Sequence, residues 1–345
     1  MRCDNRRATT LISLILIASL VQGAENQVLV YKKKYIMGTV FEIAAYDRSA
    51  EHASDAIEKA FQEIVRIDDL LSNYKPDSAL SKLNLSAHFH AEKVPPDLYR
   101  VIDESVHFSM LSDGKFDVSI APLVNLWKAA LRGEGMPSQA RQEEVRGCVG
   151  YEKIELTPPD QISFRSSCMQ LDLGAIGKGY AVDRAAEVLH SLGVRDALVN
   201  AGGSTILAMG SPPNQEAWRV HLRDPSNKID PQVMLKDESV STSEQTAPSL
   251  LGADSAGHII DPDTGMPLKT VFAVSAVSRT ATVSDALSTT LLLLGPTKGR
   301  ALIKNTVDVS AVWISHDAQV EAASGGPQIL FGNSLAAPSG LGGIP

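Results

Sequence analysis

The stretch Leu171-Asp172-Leu173-Gly174-Ala175-Ile176-Gly177-Lys178-Gly179-Tyr180-Ala181-Val182-Asp183 constrains this chain more than any other. An apolar, strand-like run ends at Asp172. Gly174, Gly177 and Gly179 follow with Lys178 among them. A helical stripe opens at once on Ala181, Val182, Ala185, Val188 and Leu189, with Gly193 as its stop. Glycines let another group come close to the backbone, and a helix N-terminus presents free N–H groups and a partial positive charge. A mobile lysine beside them completes what a phosphate or diphosphate requires. Taken alone, the same residues also describe a tight strand-to-helix turn with a surface lysine. The spacing is neither a Walker loop nor a Gly-x-Gly-x-x-Gly fingerprint, so the remaining motifs decide.

A chain of 345 residues has room for one large domain or two ordinary ones. Its net charge of -8, with no basic run and no aromatic–basic interleaving, argues against a nucleic-acid surface. Arg2, Arg6 and Arg7 precede an apolar run, Leu11 to Val21, and small residues Gly23 and Ala24 follow. Residues 1–24 therefore read as an export signal. The run is shorter than the ~20 apolar residues that cross a bilayer, so a cleaved signal is expected rather than an anchor. Arg6-Arg7 also permits a twin-arginine route, but the flanking residues favour the general one. No cysteine follows the apolar run, which speaks against a lipid anchor. The expected mature unit is 25–335, soluble and periplasmic, with a loose Gly/Pro/Ser-rich tail over 336–345. Cys148 and Cys168 flank an expected hairpin, Val149 to Leu156 and Ile162 to Met169, turning at Pro158-Pro159-Asp160. An oxidising compartment allows them to pair; two buried free thiols are the equal alternative.

Strands are expected over Val28–Tyr35, Val40–Tyr46, Asp196–Val199, Trp218–Leu222, Val233–Thr242, Val309–Ser315 and Ile329–Phe331. Helices are expected over Ala53–Leu71 and Asp97–Leu111, and from Thr282 to a stop at Gly295. Several residues have both a structural and a functional reading. Met37 is a core residue or lies against a flat ligand. Tyr74 is a half-buried loop tyrosine or stacks on a ring system. Asp117 caps the next segment or hydrogen bonds a ligand. His258, ahead of the turn Asp261-Pro262-Asp263-Thr264-Gly265, is structural on its own. Asp285 and Thr289 share one helical face near its N-terminus. There they are a capped first turn, or, with a backbone carbonyl from elsewhere, a hard-cation site suited to Mg²⁺.

Taken in order, these segments resemble the ApbE-type FAD:protein FMN transferases. The likeness runs through Met37-Gly38-Thr39, Ser72-Asn73-Tyr74, Gly114-Lys115-Phe116-Asp117, Pro122 to Trp127 and Asp172 to Asp183. It continues through Asn200 to Gly203, His258 to Gly265 and Asp285 to Thr289. Each motif is weak singly, whereas the ordered set is specific. The resemblance implies an α+β fold of the T-fold-like kind, with mixed sheets, packed helices and the flavin in a cleft. It implies FAD contacts at Met37, Tyr74, Lys115, Phe116, Asp117, Asp172, Lys178 and Ile259. It implies Mg²⁺ held by the Ala175 carbonyl with Asp285, Ser288 and Thr289, and His258 as a candidate proton acceptor near the diphosphate. The chain departs from the family pattern at Ala175 and Gly177, and at Ser204, Glu244 and Asp263; the last three bear on the choice of acceptor.

The implied reaction transfers FMN from FAD, as substrate, to a Thr or Ser hydroxyl of another exported protein, with release of AMP. That acceptor would be the flavin-carrying part of an extracytoplasmic redox system, so membranes enter only through partner complexes. The competing readings are an FAD pyrophosphatase giving FMN and AMP, and a non-catalytic FAD-binding protein.

Overall fold

Period-two alternation builds the centre of the molecule. A computed structural model describes residues 27–245, 259–326 and 329–332. The signal expected over 1–24, the tail expected over 336–345 and His258 lie outside the described residues. Eight strands form one sheet: β1 (Val28–Ile36), β2 (Thr39–Asp47), β3 (Asp196–Ala201), β4 (Thr205–Met209), β5 (Glu238–Glu244), β6 (Phe272–Ser278), β7 (Ser310–Ser315) and β8 (Val320–Ser324). Their order in the sheet is their order in the chain, and every neighbouring pair is antiparallel.

Alternate residues of a strand face opposite sides, and the two sides have different covers. Val274, Ala276, Ala311 and Trp313 join the core beneath the helices. Their neighbours Val277, Val312 and Ile314 join a second core beneath a three-stranded sheet of Trp218–His221, Asp230–Leu235 and Ile329–Gly332. The helical layer consists of α1 (Ala50–Leu71), α2 (Pro96–Leu111), α3 (Gly177–Ser191) and α4 (Ala281–Lys304). α1 is capped by Ser49 and buries Ile57, Phe61, Ile64 and Ile67 on one stripe, as its periodicity predicts. The α+β class expected from the sequence is the observed one. No helix among the described residues is long and apolar enough to cross a membrane.

Local differences from expectation have identifiable causes. The single strand expected over Val233–Thr242 is two strands in two different sheets. Asp237, at φ 55°, makes the turn between them; a short polar side chain tolerates that left-handed conformation. α3 begins at Gly177, so Gly177 and Gly179 belong to its first turn rather than to a loop before it. α4 does break at Gly295 (φ 71°, ψ 174°), but Pro296 starts a second helical segment without an intervening loop. The hairpin between the cysteines is shorter than expected, Ile154–Thr157 with Gln161–Phe164.

Cys148 and Cys168 form a disulfide that closes a 20-residue separation across this hairpin. A loop of that size restricts the unfolded chain by roughly 3 kcal/mol. Replacing both cysteines by serine should lower the unfolding free energy by about 2–4 kcal/mol. Denaturant titration checks this, and the natural chain with reductant should approach the variant.

Candidate active site

α3 and α4 meet at their N-termini, and that contact builds the site. The Gly179 N–H donates to Asp285 Oδ2 at 2.9 Å. In return Asp183 of α3 accepts from the Ala281 and Thr282 N–H groups at 2.7 and 2.8 Å. A Cβ on Gly179 would stand 2.2 Å from the Ala281 carbonyl oxygen, so only glycine permits this approach. The arrangement corrects one expectation. Two N–H groups of the α3 turn are already taken: Gly177 donates to the Leu173 carbonyl and Gly179 to Asp285. The turn also lines the cleft with the Lys178 side chain and the Ala175 backbone.

A cleft of about 700 Å³ opens beside this contact. The turn before α3 lines it with Asp172, Gly174, Ala175 and Lys178; α4 lines it with Asp285 and Thr289. The opposite wall carries Lys115, Phe116, Asp117 and Ile259, and Tyr74 stands at the rim, 82% exposed. The β3–β4 turn adds Gly202, Gly203 and Ser204, and the end of β5 adds Thr242, Ser243 and Glu244. Gly202 (φ 62°) is fixed there because a Cβ would stand 2.0 Å from Thr39 Oγ1. A larger open cleft of about 1210 Å³ between α2, α3 and α4 gathers none of the site residues expected from sequence.

Two expected ligand residues are not part of the cleft lining. Met37 is half-buried and its Cε packs against Gly177, 3.8 Å from where a Cβ would stand there, behind the cleft. Ser288 is fully buried; its hydroxyl donates to the Asp285 carbonyl and pairs with Ser243, so it supports the α4 turn from below. Phe116 lines the cleft but is 2% exposed, packing on Phe108 with ring centroids 5.9 Å apart. The Asp117 carboxylate accepts from the Ser119 and Tyr151 N–H groups and from the Ser119 hydroxyl. Burial pushes Asp117 above the usual carboxylate range, and those bonds pull back against it.

Charges along the walls are largely met from within. Lys115 Nζ lies 2.7 Å from Asp261 and 2.8 Å from Asp263. Burial works to lower Lys115, but the two carboxylates outweigh it and hold the lysine above its ordinary value. Arg223 pairs with Glu244 at 2.8 Å. Lys178 donates to the Gly174 carbonyl at 3.2 Å and stands 4.0 Å from Asp285 Oδ1. Lys128 donates to the Tyr74 hydroxyl. Sequence reasoning missed Arg223, Lys128 and Thr205, which donates to Asp285 Oδ1 at 3.2 Å. None carries a local signal, since each acquires its role through a partner more than 20 residues away.

The model of the ApbE family matches residues 37–313. The chain belongs to the ApbE family. It is 30% identical over 325 residues to the FAD:protein FMN transferase of Treponema pallidum (strain Nichols), covering 88% of this chain and 89% of that protein. The flavin transferase ApbE from Vibrio cholerae superposes with a TM-score of 0.74 at 25% identity, over 87% of this chain and 98% of that one. The ApbE protein from Thermotoga maritima shares the fold, with a TM-score of 0.76 at 24% identity over 86% and 97% of the two chains.

Two outcomes are expected for this ApbE-family chain. Gly179→Ala should force α3 and α4 apart and lower stability by about 3 kcal/mol, as overpacking does; thermal unfolding reads it. Lys115→Met should cost roughly 1 kcal/mol at pH 7. Because the folded lysine is raised, its contribution is complete below the ordinary value of 10.5 and fades as pH climbs through the folded value. The gap in melting temperature between variant and natural chain should therefore close above pH 10.5.

Proposed function

We propose that this chain transfers FMN from FAD to a Thr or Ser hydroxyl of an exported acceptor protein and releases AMP. Flavin transfer as such is what the family and its relatives' names support. One observation carries the reading: segments more than 100 residues apart bring Lys178, Ala175, Asp285 and Thr289 to one wall of a cleft whose rim offers Tyr74.

The donor set fits a hard cation. Asp285 supplies a carboxylate, Thr289 a hydroxyl and Ala175 a backbone carbonyl, all oxygen and all on the same cleft. Mg²⁺ bound there would neutralise the diphosphate and the departing AMP. Lys178 stabilises negative charge on the diphosphate beside that position. The acceptor oxygen attacks the FMN-side phosphorus as the bond from that phosphorus to the bridging oxygen breaks. The hydroxyl proton must leave with the attack. His258 is the proton acceptor that the sequence offers, next in the chain to Ile259 on the cleft wall. Tyr74, exposed at the rim with Lys128 over its ring at 5.2 Å, offers a stacking face. Export to the periplasm is supported by the disulfide, which an oxidising compartment preserves. The acceptor is then a flavin-carrying component of an extracytoplasmic redox system.

Incubation of the purified chain with FAD, Mg²⁺ and an acceptor tests the reading. AMP release with flavin covalently on the acceptor supports transfer. AMP and free FMN in equal amounts would show hydrolysis, and intact FAD would show binding alone. Asp285→Ala should reduce Mg²⁺-dependent AMP release by at least about 100-fold, since it removes the one carboxylate of the donor set. Activity within threefold of the natural chain, with the variant folded by circular dichroism, would remove Asp285 from the metal site.

A further inference from the structure

Asp285 is held by more than its own helix. Oδ2 is fixed by the Gly179 N–H, whereas Oδ1, the oxygen 4.0 Å from Lys178 Nζ, is met by the Thr205 hydroxyl at 3.2 Å. Behind Thr205 stands a chain of hydroxyls. Ser241 Oγ lies 3.1 Å from Thr205 Oγ1 and 2.8 Å from Ser284 Oγ. Thr205, Ser241 and Ser284 are each 0–1% exposed, and Asp285 is 4% exposed.

The direction of this chain follows from proton counting. A hydroxyl has one proton to donate, and an ionised carboxylate only accepts. Thr205 therefore donates to Asp285 and accepts from Ser241. With its proton committed to Thr205, Ser241 can only accept at Ser284, whose own proton also has the Ala281 carbonyl at 3.2 Å. Ser239 gives its own proton to the Ile206 carbonyl at 2.9 Å, so it stands as a further acceptor beside Ser284. The fixed order is Ser241 to Thr205 to Asp285, and each bond polarises the next. Buried hydroxyls that only filled space between a strand and a helix would not need to end on a carboxylate facing a cleft.

We infer that Thr205 is a positioning residue for the transfer reaction: its hydroxyl, donating to Asp285 Oδ1, holds the carboxylate that would receive the cation. The inference rests on the cation role proposed for Asp285. Groups that orient a metal ligand from behind alter metal affinity by about 10–100-fold when removed, and a single hydroxyl directed at the ligand oxygen belongs to this class.

Thr205→Val keeps the shape and removes the donor, and Thr205→Ser restores it. In Thr205→Val the Mg²⁺ concentration for half-maximal AMP release should rise about 10–100-fold, with the KM for FAD changed less than twofold. Thr205→Ser should return to within about threefold of the natural chain. The second readout needs no turnover: the rise in melting temperature that Mg²⁺ gives the natural chain should demand correspondingly more Mg²⁺ in Thr205→Val. Should Thr205→Val fail to fold, Ser241→Ala interrupts the chain one bond further back and should shift both midpoints in the same direction, by less. A folded Thr205→Val with an unchanged Mg²⁺ midpoint overturns the inference alone. So does a variant that melts earlier but keeps that midpoint, because its role is then purely structural. A natural chain with no Mg²⁺ response in either measurement overturns the cation reading, and the inference falls with it.

Discussion

Two helix N-termini face each other at the centre of this molecule, and electrostatics disfavours that meeting. Each terminus carries a partial positive charge and unsatisfied N–H groups. α3 and α4 resolve the conflict by exchanging carboxylates: Asp285 of α4 accepts from α3, and Asp183 of α3 accepts from α4. Asp183 also takes the Thr282 hydroxyl at 2.5 Å. Burial pushes Asp183 above the usual carboxylate range, and the donors from Thr282 and Ala281 act against that push. The absent side chain at Gly179 brings the helices close enough for both exchanges. Local stability and the placement of the cleft thus depend on the same few atoms, and Asp285 belongs to both.

The seam between α4 and the sheet carries the same design outward. β5 turns Ser239, Ser241 and Ser243 toward the helix, and α4 answers with Ser284 and Ser288, four residues apart. The spacings match because strand neighbours on one face recur every second residue and helix neighbours every fourth. Small hydroxyl side chains let helix and strand approach closely while satisfying one another in a buried place. Away from the cleft the seam becomes apolar, with Leu287, Leu291 and Trp313 in the helical core. The polar end of the interface lies where the cleft opens, beside Asp285.

That seam also explains what the sequence hid. Alternating residues such as Ser239-Val240-Ser241 suggest a serine face in water and a valine face in the core. In fact both faces are covered, valine by the three-stranded sheet and serine by α4. The stripe of α1, the i, i+4 pair Asp285–Thr289 and the glycine turn before α3 were legible because each depends on neighbours close in the chain. Thr205, Asp183 as a cap for α4, and Arg223 were not, because their partners are distant. The ordered motifs gave the family, and with it the convergence on one cleft. They did not distinguish side chains that reach the cleft from those, like Met37 and Ser288, that stand behind it.

Pairing within the cleft decides which cations remain for an anionic ligand. Lys115 is neutralised by two aspartates, one of them Asp263 at a departure from the family pattern, and Arg223 is neutralised by Glu244. Lys178 donates to a carbonyl and reaches Asp285 only at 4.0 Å, and Lys128 donates to a tyrosine hydroxyl. On the function proposed above, a diphosphate entering the cleft would meet the attraction of Lys178 beside Asp285. A cation at Asp285 reinforces that attraction and offsets the repulsion between carboxylate and phosphate. Lys115, by contrast, serves first to hold the Asp261–Gly265 turn against the cleft wall. Asp263, at 62% side-chain exposure, is the more exposed half of that clasp and adds negative charge at the surface beside the cleft. The departures at Asp263 and Glu244 thus pair with Lys115 and Arg223 and change the charge presented beside the cleft.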